Sequence, residues 1–476
     1  MATANIVFPP SSGPGTAPQE GAGRLINAFA EKAPVGAPST IIHRRSPGLQ
    51  RMTTLTGTLP YVHTRGFLDV SGSVIWILND RALTFDSNFN VVDLGALIGT
   101  EPVTFGRNNA VTQDNVVVTS TGCFNLFAVS APTAFADPDL PASPTSVCDY
   151  HGYLVWSYAD GRIFASDLNS VNVSALSFTT EQGLQVRRVV QYSGRLYAFG
   201  DKWTAVYNDV GTLPFPFSRE VTVPRGIVGT HAVAGWEAGW ANQLLWVGDD
   251  FVVYRLDGYT PVPVSTDDVS RFIQTSVLAG KRNFIEAYVY MYGKSAFWVV
   301  TSHGDWTWEY NLTTGEWNER LSYNQPCWKG MKSVRVFDRW LIGDQFTGDL
   351  YQISGTYFRD GLDPLIWQVD SGALVNFPRG TVVGRASFHI SSAVGDLAVA
   401  PDPKIEISWS LDGGYSYGNP VIRKLGGPGM SLSHPYVLNC GLSRGQGLRF
   451  RLKVSDPVHV GLNGGVVEAD VRSFSG

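Results

Sequence analysis

Residues able to do chemistry are few in this chain, and they are scattered. Eight histidines stand at positions 43, 63, 151, 231, 303, 389, 434 and 459. None is spaced His-x-x-x-His and none adjoins a cysteine, so the sequence offers no metal-ligating motif. The four cysteines, Cys123, Cys148, Cys327 and Cys440, form no Cys-x-x-Cys pair, and free thiols of a protein made in a reducing cytosol are expected. There is no Gly-x-Ser-x-Gly elbow, no Walker loop and no strand-anchored Gly-x-Gly-x-x-Gly. The acidic pairs Asp249-Asp250 and Asp267-Asp268 sit in turn and helix-cap contexts rather than in general acid–base ones. One basic cluster, His43-Arg44-Arg45 with Arg51, suits contact with a phosphate or an acidic partner and suits a solvated face equally well. The expectation is a protein that is not an enzyme and carries no cofactor and no metal.

One further motif touches chemistry. Ser410-Leu-Asp412-Gly-Gly414-Tyr-Ser416-Tyr417 fits the Asp-box pattern S-x-D-x-G-x-[ST]-[WY], which recurs in sialidases as a turn whose aspartate ties down backbone amides. A single copy argues for a hairpin turn, with a carbohydrate-active enzyme as the alternative it would suggest.

The elements that must position these residues are β-strands. Charged residues make up 16% of the 476 residues, against roughly 25% in an average globular chain. Aromatics make up 12%, with 51 glycines and 27 prolines, which excludes disorder and a coiled coil. From about residue 62 to 355 a turn followed by a short apolar-aromatic strand recurs. The strands are Ser71–Trp76, Asp114–Val118, His151–Trp156, Ser193–Tyr197, Asn242–Trp246, Lys294–Trp298 and Asp338–Leu341. Their last residues are 42, 38, 41, 49, 52 and 43 residues apart. A period of about 40–50 with several strands per period is that of a β-propeller, because one small sheet cannot bury both faces and must stack on the next. Six or seven blades are expected over residues 61–360. Residues 1–60 read as an N-terminal arm and strand: an extended Pro/Gly-rich start, a strand at Arg24–Phe29, and an irregular stretch at 32–50. Residues 361–476 read as an additional antiparallel β domain, with strands at Thr381–Ser391, Lys404–Trp409 and Leu448–Val454. The Arg24–Phe29 strand either joins that domain or closes the propeller. One helix is expected at Asp267–Gln274, capped by Thr266, its two aspartates favoured in the first turn. In the hairpin Trp306–Trp317 a Thr-Gly turn joins two strands whose tryptophans should pack together.

The net charge of −5 is unevenly spread. Residues 1–60 carry +3 and residues 361–476 carry +1, so the repeat region holds −9. Such a region repels a nucleic-acid backbone rather than gripping it. Residues 1–15 show neither the basic nor the apolar stretch of a secretory signal, and no run of 18 apolar residues marks a membrane span.

Several segments, in the same order along nearly the whole chain, resemble the packaged-DNA-stabilisation family of short-tailed bacteriophages, the tail nozzle or tail hub proteins. Gly23-Arg-Leu-Ile-Asn27 resembles the early R-L-x-N strand, and Arg44-Arg45-Ser-Pro47-Gly48-Leu49 the R-R-x-P-G-L element. Asp137–Pro141 is similar to the D-P-D-F-P loop and Leu213–Phe217 to the D-F-P-F segment. Trp246–Asp250 with Val253–Pro261 resembles the W-L-G-D-D and V-Y-R run, and Thr307–Arg320 the T-W-x-Y-D and W-H-E-R hairpin. Trp409–Gly414 and Phe450–Pro457 match the closing W-S-D-D-G-G and F-R-V-R-x-S-D-P. Leu140 stands where the family has Phe, Leu411 interrupts the acidic pair, and the arm at 11–22 follows no family pattern.

The resemblance implies a virion structural protein, made in the host cytoplasm and resident in the tail. Such proteins form a ring, usually a hexamer, between a tail adaptor ring and receptor-binding fibres or spikes. The ring closes the DNA exit channel after packaging and opens for genome ejection. Packaged double-stranded DNA then passes without sequence-specific binding, and acidic channel walls would keep it from sticking. The alternative from composition and period alone is a propeller acting as a protein-interaction scaffold.

Overall fold

The computed structural model describes residues 2–54, 63–70, 72–181, 185–431 and 434–472. Among these the chain is almost entirely β. Seven strand groups follow one another and are the blades of a propeller: four strands each at 64–96, 104–134, 146–180, 186–223, 233–263 and 285–319, and three at 330–354 that take their fourth from elsewhere in the chain. Each recurring strand found in the sequence is the second strand of its blade. Ser71, the first residue of that series, lies outside the described residues, as does the expected boundary near residue 60.

The tryptophans explain the spacing. Trp76, Trp156, Trp246 and Trp298 occupy equivalent second-strand positions and are essentially fully buried. Each sits in the wedge between sheets, where a large flat side chain fills most volume per residue, and truncating such a side chain costs about 3–5 kcal/mol.

Two strands appear where the sequence reads as irregular. Ile41–Arg45 pairs with Ala28–Lys32, and Gly48–Thr54 becomes the fourth strand of the last blade, with Leu350 opposite Thr53 and Tyr351 opposite Arg51. Pro34, Pro38 and Pro47 mask both strands in the sequence, although each proline falls in a connection outside them. The propeller is thus closed by a strand from the N-terminal region. The inner strand of that blade, Gly330–Val336, packs beside Thr64–Val70 of the first. Gly48 is required by close approach: a Cβ there would lie 1.9 Å from the Tyr357 carbonyl oxygen.

The expected strand at Arg24–Phe29 is broken in two by Asn27, which adopts a left-handed φ of 50°. Arg24–Ile26 pairs antiparallel with Trp367–Asp370 and parallel with Glu316–Glu319, so blade six continues into a nine-stranded sheet that ends at Lys404–Ser410 and Val421–Lys424. Ala28–Lys32 enters a second, six-stranded sheet with Gly461–Arg472, Gly380–Ile390 and Tyr436–Ser443. The strand Ala2–Ile6, read from sequence as part of a loose arm, pairs with Gly461–Arg472 in that sheet. The two sheets enclose one apolar core, in which Ile6, Leu25 and Ala28 pack with Trp367, Phe388, Phe450 and Leu452. The C-terminal β unit therefore includes N-terminal strands.

The helix runs from Asp267 to Leu278, and Thr266 Oγ1 accepts the Val269 amide at 3.4 Å. Its Phe272 packs on Trp306 and Trp308, with ring centroids 6.3 and 5.6 Å apart. That contact draws these two tryptophans away from Trp317, which packs instead on Tyr310 and Trp298. All four cysteines are free thiols. No helix among the described residues is long and apolar enough to cross a membrane.

Candidate functional site

Of the basic cluster singled out in the sequence, Arg44 and Arg45 lie at the junction between the propeller and the C-terminal sheets, where the geometry is that of a weld, and Arg51 lies on the strand that closes blade seven. Arg45 is buried, and its guanidinium donates to the carbonyl oxygens of Asp456 at 2.5 Å, Val458 at 2.8 Å and Val454 at 3.2 Å, and to that of Leu365. Burial lowers its pKa to about 9, so it stays charged at neutral pH. Arg44 pairs with Glu31 and lies 3.2 Å from His459. Arg51 faces Asp349 at 3.9 Å across the closing strand. The three arginines thus do not share one open surface: one is caged by carbonyls and two are paired.

Three other family-like segments, at 23–27, 307–320 and 450–457, converge on the same place. Asn27 donates through Nδ2 to the carbonyls of Leu321 at 2.8 Å and Ile366 at 2.9 Å, while its Oδ1 accepts the Leu321 amide at 3.1 Å. Arg24 Nε donates to Glu319 Oε1 at 3.0 Å, and Ser12 Oγ adds a bond to the same oxygen at 2.6 Å. Arg320 and Glu309 are both fully buried, 3.2 Å apart, and the Arg320 guanidinium stacks 4.1 Å above the Trp328 ring. Tyr290 and Asn318 satisfy Glu309, and Arg320 Nη2 donates to the Pro47 carbonyl at 3.1 Å. Burial opposes the Arg320 charge, but Glu309, Tyr290 and Asp360 together outweigh it and hold the pKa above its ordinary value. Arg451 grips Asp370 with a bidentate fork at 2.9 and 2.7 Å. Desolvated charges held against carboxylates and carbonyls in this way fix a geometry, although Arg45 Nε and Arg320 Nε and Nη1 make no hydrogen bond.

The Asp box is likewise spent on its own turn. Asp412 accepts the Ser410 and Ser416 hydroxyls and the Ser416 amide. Burial works against the ionised form, yet these bonds outweigh it and hold the carboxyl down at about 2. Asp137 and Asp249 do the same for neighbouring loops, accepting the amides of Val173 and Gly226. Among the described residues no group of three or more His, Cys, Asp or Glu is placed to hold a metal ion.

A second polar site lies on the propeller axis, and sequence reading passed over it. Inner strands of all seven blades line a pocket of about 250 Å³, which opens beside Asp149 and holds Arg65, Arg188, His231, Glu237 and Lys332. Its cations are aimed by β-bulges. The inner strands of blades one, four and seven each carry one unpaired extra residue, at Arg65, Arg187 and Lys332. A bulge bends the strand and redirects side chains. Lys332, at φ 53°, reaches the buried Glu286 carboxylate at 2.7 Å. Arg65 donates to the carbonyls of Asn79 and Leu97, both at 2.8 Å, and of Glu101 at 2.6 Å. Burial lowers the Arg65 and Arg188 pKa values to about 10 and raises those of Glu237 and Glu286. Burial, with Lys332 and Arg188 nearby, holds His231 neutral. The signal for this site was present in the sequence as charges on the first strand of six of the seven repeats, beside their apolar residues.

The axis is no conduit. Trp236, Tyr288, Phe67 and Phe105 close around it. A duplex whose major groove alone is about 12 Å wide cannot enter a cavity of about 250 Å³.

Over residues 24–357 the chain matches the family described as "Bacteriophage P22 Gp10, beta-propeller". No curated protein matches it. Among solved structures it is similar to the WD40 repeats of RRP9, at 8% identity and a TM-score of 0.41, covering 65% of this chain and 99% of that one. It is similar also to BamB from Moraxella catarrhalis, at 12% identity and a TM-score of 0.37, covering 74% and 97%. For PorZ of Porphyromonas gingivalis the identity is 11% and the TM-score 0.38, covering 63% of this chain and only 37% of PorZ.

Proposed function

We propose, from the premise that this chain belongs to the phage stabilisation family and is a phage structural protein, that it forms the ring-shaped tail nozzle of the virion. In this role it closes the DNA exit channel after packaging and serves as the conduit for genome ejection. The observation that carries the reading is the narrow propeller axis, whose pocket of about 250 Å³ is too small for a duplex. A protein of this family whose own centre admits no duplex can serve a DNA passage only as one wall segment among several copies. Rotationally repeated contacts between unlike faces close such copies into a ring, and six is the number the sequence resemblance implies.

The weld at Arg45, Arg320 and Arg451 supports this use, because a wall segment must carry load across the propeller and the C-terminal sheets without hinging. The acidic balance of −9 over residues 61–360 supports it also. Walls of that sign repel phosphate, so DNA slides past without being held. A tail adaptor ring on one side and fibres or spikes on the other complete the assembly.

Electron microscopy of the purified full chain, alone and with its tail adaptor ring, tests the reading. Six-fold rings with an open centre wide enough for a duplex are expected. A monomer under both conditions, or a ring whose lumen is basic, would overturn it.

A further inference from the structure

We propose that the axial pocket is a binding site for a small oxyanion, of which inorganic phosphate is the simplest, and that Arg188 is its principal ligand. Arg188 is 9% exposed and lines the pocket. Its Nε and Nη1 are buried and have no hydrogen-bond partner. The one aromatic contact it makes, 5.6 Å from the Trp236 ring, orients the guanidinium plane without satisfying its edge. Buried donors without acceptors are rare in native proteins, and each costs about 1–3 kcal/mol. Guanidinium edges match planar or tetrahedral oxyanions with two parallel bonds.

Arg65 also lines the pocket, but it spends Nε and Nη1 on carbonyls and rests its Nη2 against Gly99, so it adds positive charge rather than a bond to the ligand. Lys332 contributes positive charge from the third side, anchored by Glu286. The acidic groups of the pocket do not replace the ligand. Glu237 accepts the Gly235 amide at 2.7 Å and makes no bond to Arg188, and Asp149 makes none either. A cation is disfavoured, because no cluster of three metal-ligating groups exists among the described residues. The volume of about 250 Å³ far exceeds the roughly 10–15 Å³ that admits a single water. It holds an oxyanion and excludes a nucleic-acid strand.

Calorimetric titration of inorganic phosphate into the full chain is the test, paired with thermal unfolding in phosphate and in chloride at matched ionic strength. One saturable site per chain is expected, together with a rise in Tm specific to phosphate. In Arg188→Met that specific rise should vanish and the affinity should fall about ten-fold or more, the loss of one charged hydrogen-bond fork. General salting effects of phosphate act equally on both proteins and cancel in the difference. Glu237→Gln removes a competing negative charge and should bind several-fold tighter, a readout that survives if Arg188→Met fails to fold. Duplex DNA at the same phosphate concentration should give no saturable axial signal. The proposal is overturned by absence of saturable phosphate binding, by equal binding in Arg188→Met, by unchanged or weaker binding in Glu237→Gln, or by a response to DNA but not to free phosphate.

Discussion

At the junction of blade six with the C-terminal sheets, Arg320 lies 3.2 Å from Glu309, stacks on Trp328 and donates to Pro47. On the propeller axis Arg188 is nearly as buried and has no hydrogen-bond partner for its Nε or Nη1. The two arginines have the same chemistry and a similar desolvation cost, but they are held in opposite ways. The junction surrounds its cations with acceptors from chain segments as distant as Pro47 and Val458, so charge there acts as a mechanical lock. The axis brings cations from three blades together and leaves donor edges open, so charge there is available to a ligand. Burial of a charge therefore does not by itself distinguish a structural part from a binding part: both arginines keep Nε and Nη1 without a hydrogen-bond partner, and what separates them is the buried counter-charge and the Pro47 carbonyl that Arg320 has and Arg188 lacks.

Substitutions that treat both arginines alike should separate them. Arg320→Met leaves Glu309 buried without its counter-charge and should destabilise the protein by about 3–5 kcal/mol, read as a lowered urea midpoint at constant m-value. An unchanged midpoint would show that the junction is not a lock. Arg45→Lys keeps the charge but loses the fork that reaches four carbonyls, and a loss of roughly 1.5–3 kcal/mol is expected in the same measurement. Arg188→Met should change stability by no more than about 1 kcal/mol in phosphate-free buffer, since it removes a buried charge that no carboxylate pairs, whereas Arg320 is paired with Glu309. A loss as large as that of Arg320→Met would erase the contrast between the two sites.

The smallest effect belongs to the Asp412 turn. Its carboxyl is held at about 2 in the folded protein, below the roughly 3.9 of an unfolded aspartate. Its contribution is therefore complete above about pH 4 and is lost as pH falls from there through 2. Asp412→Asn should flatten the acid-unfolding profile between pH 4 and 2 and leave the profile near neutrality the same in shape. An identical acid limb in both proteins would remove the turn from the list of charge-held elements.

Much of the propeller was legible in the sequence. Seven apolar-ended strands, five of them closing on an aromatic, recur at steps of 38 to 52 residues because each second strand fills the same wedge between sheets, and the structure places all seven there. The capped helix at Asp267 and the alternating strands of the C-terminal region were legible for the same reason: their patterns are local. Closure by Gly48–Thr54 was not. That strand joins Asp349–Ser354 about 300 residues away, and no local pattern distinguishes a strand awaiting a distant partner from an irregular stretch rich in proline. The packing of Trp306 and Trp308 on the helix rather than on Trp317 was hidden likewise, since cross-strand spacing says nothing of a third element pressing on the sheet.

The arginines mark the same limit at the level of single side chains. Arg44, Arg45 and Arg51 form one basic cluster in sequence and three separate situations in space, and Arg188 carries no motif at all. Residue type and period alone determined the repeat, the wedge-filling aromatics, the turns and the uneven charge, because each depends on neighbours within a few residues. Only the tertiary structure decided which arginine is caged, which is paired and which is left open. A guanidinium is read by the acceptors around it, and here those acceptors come from strands that meet only once the chain has folded.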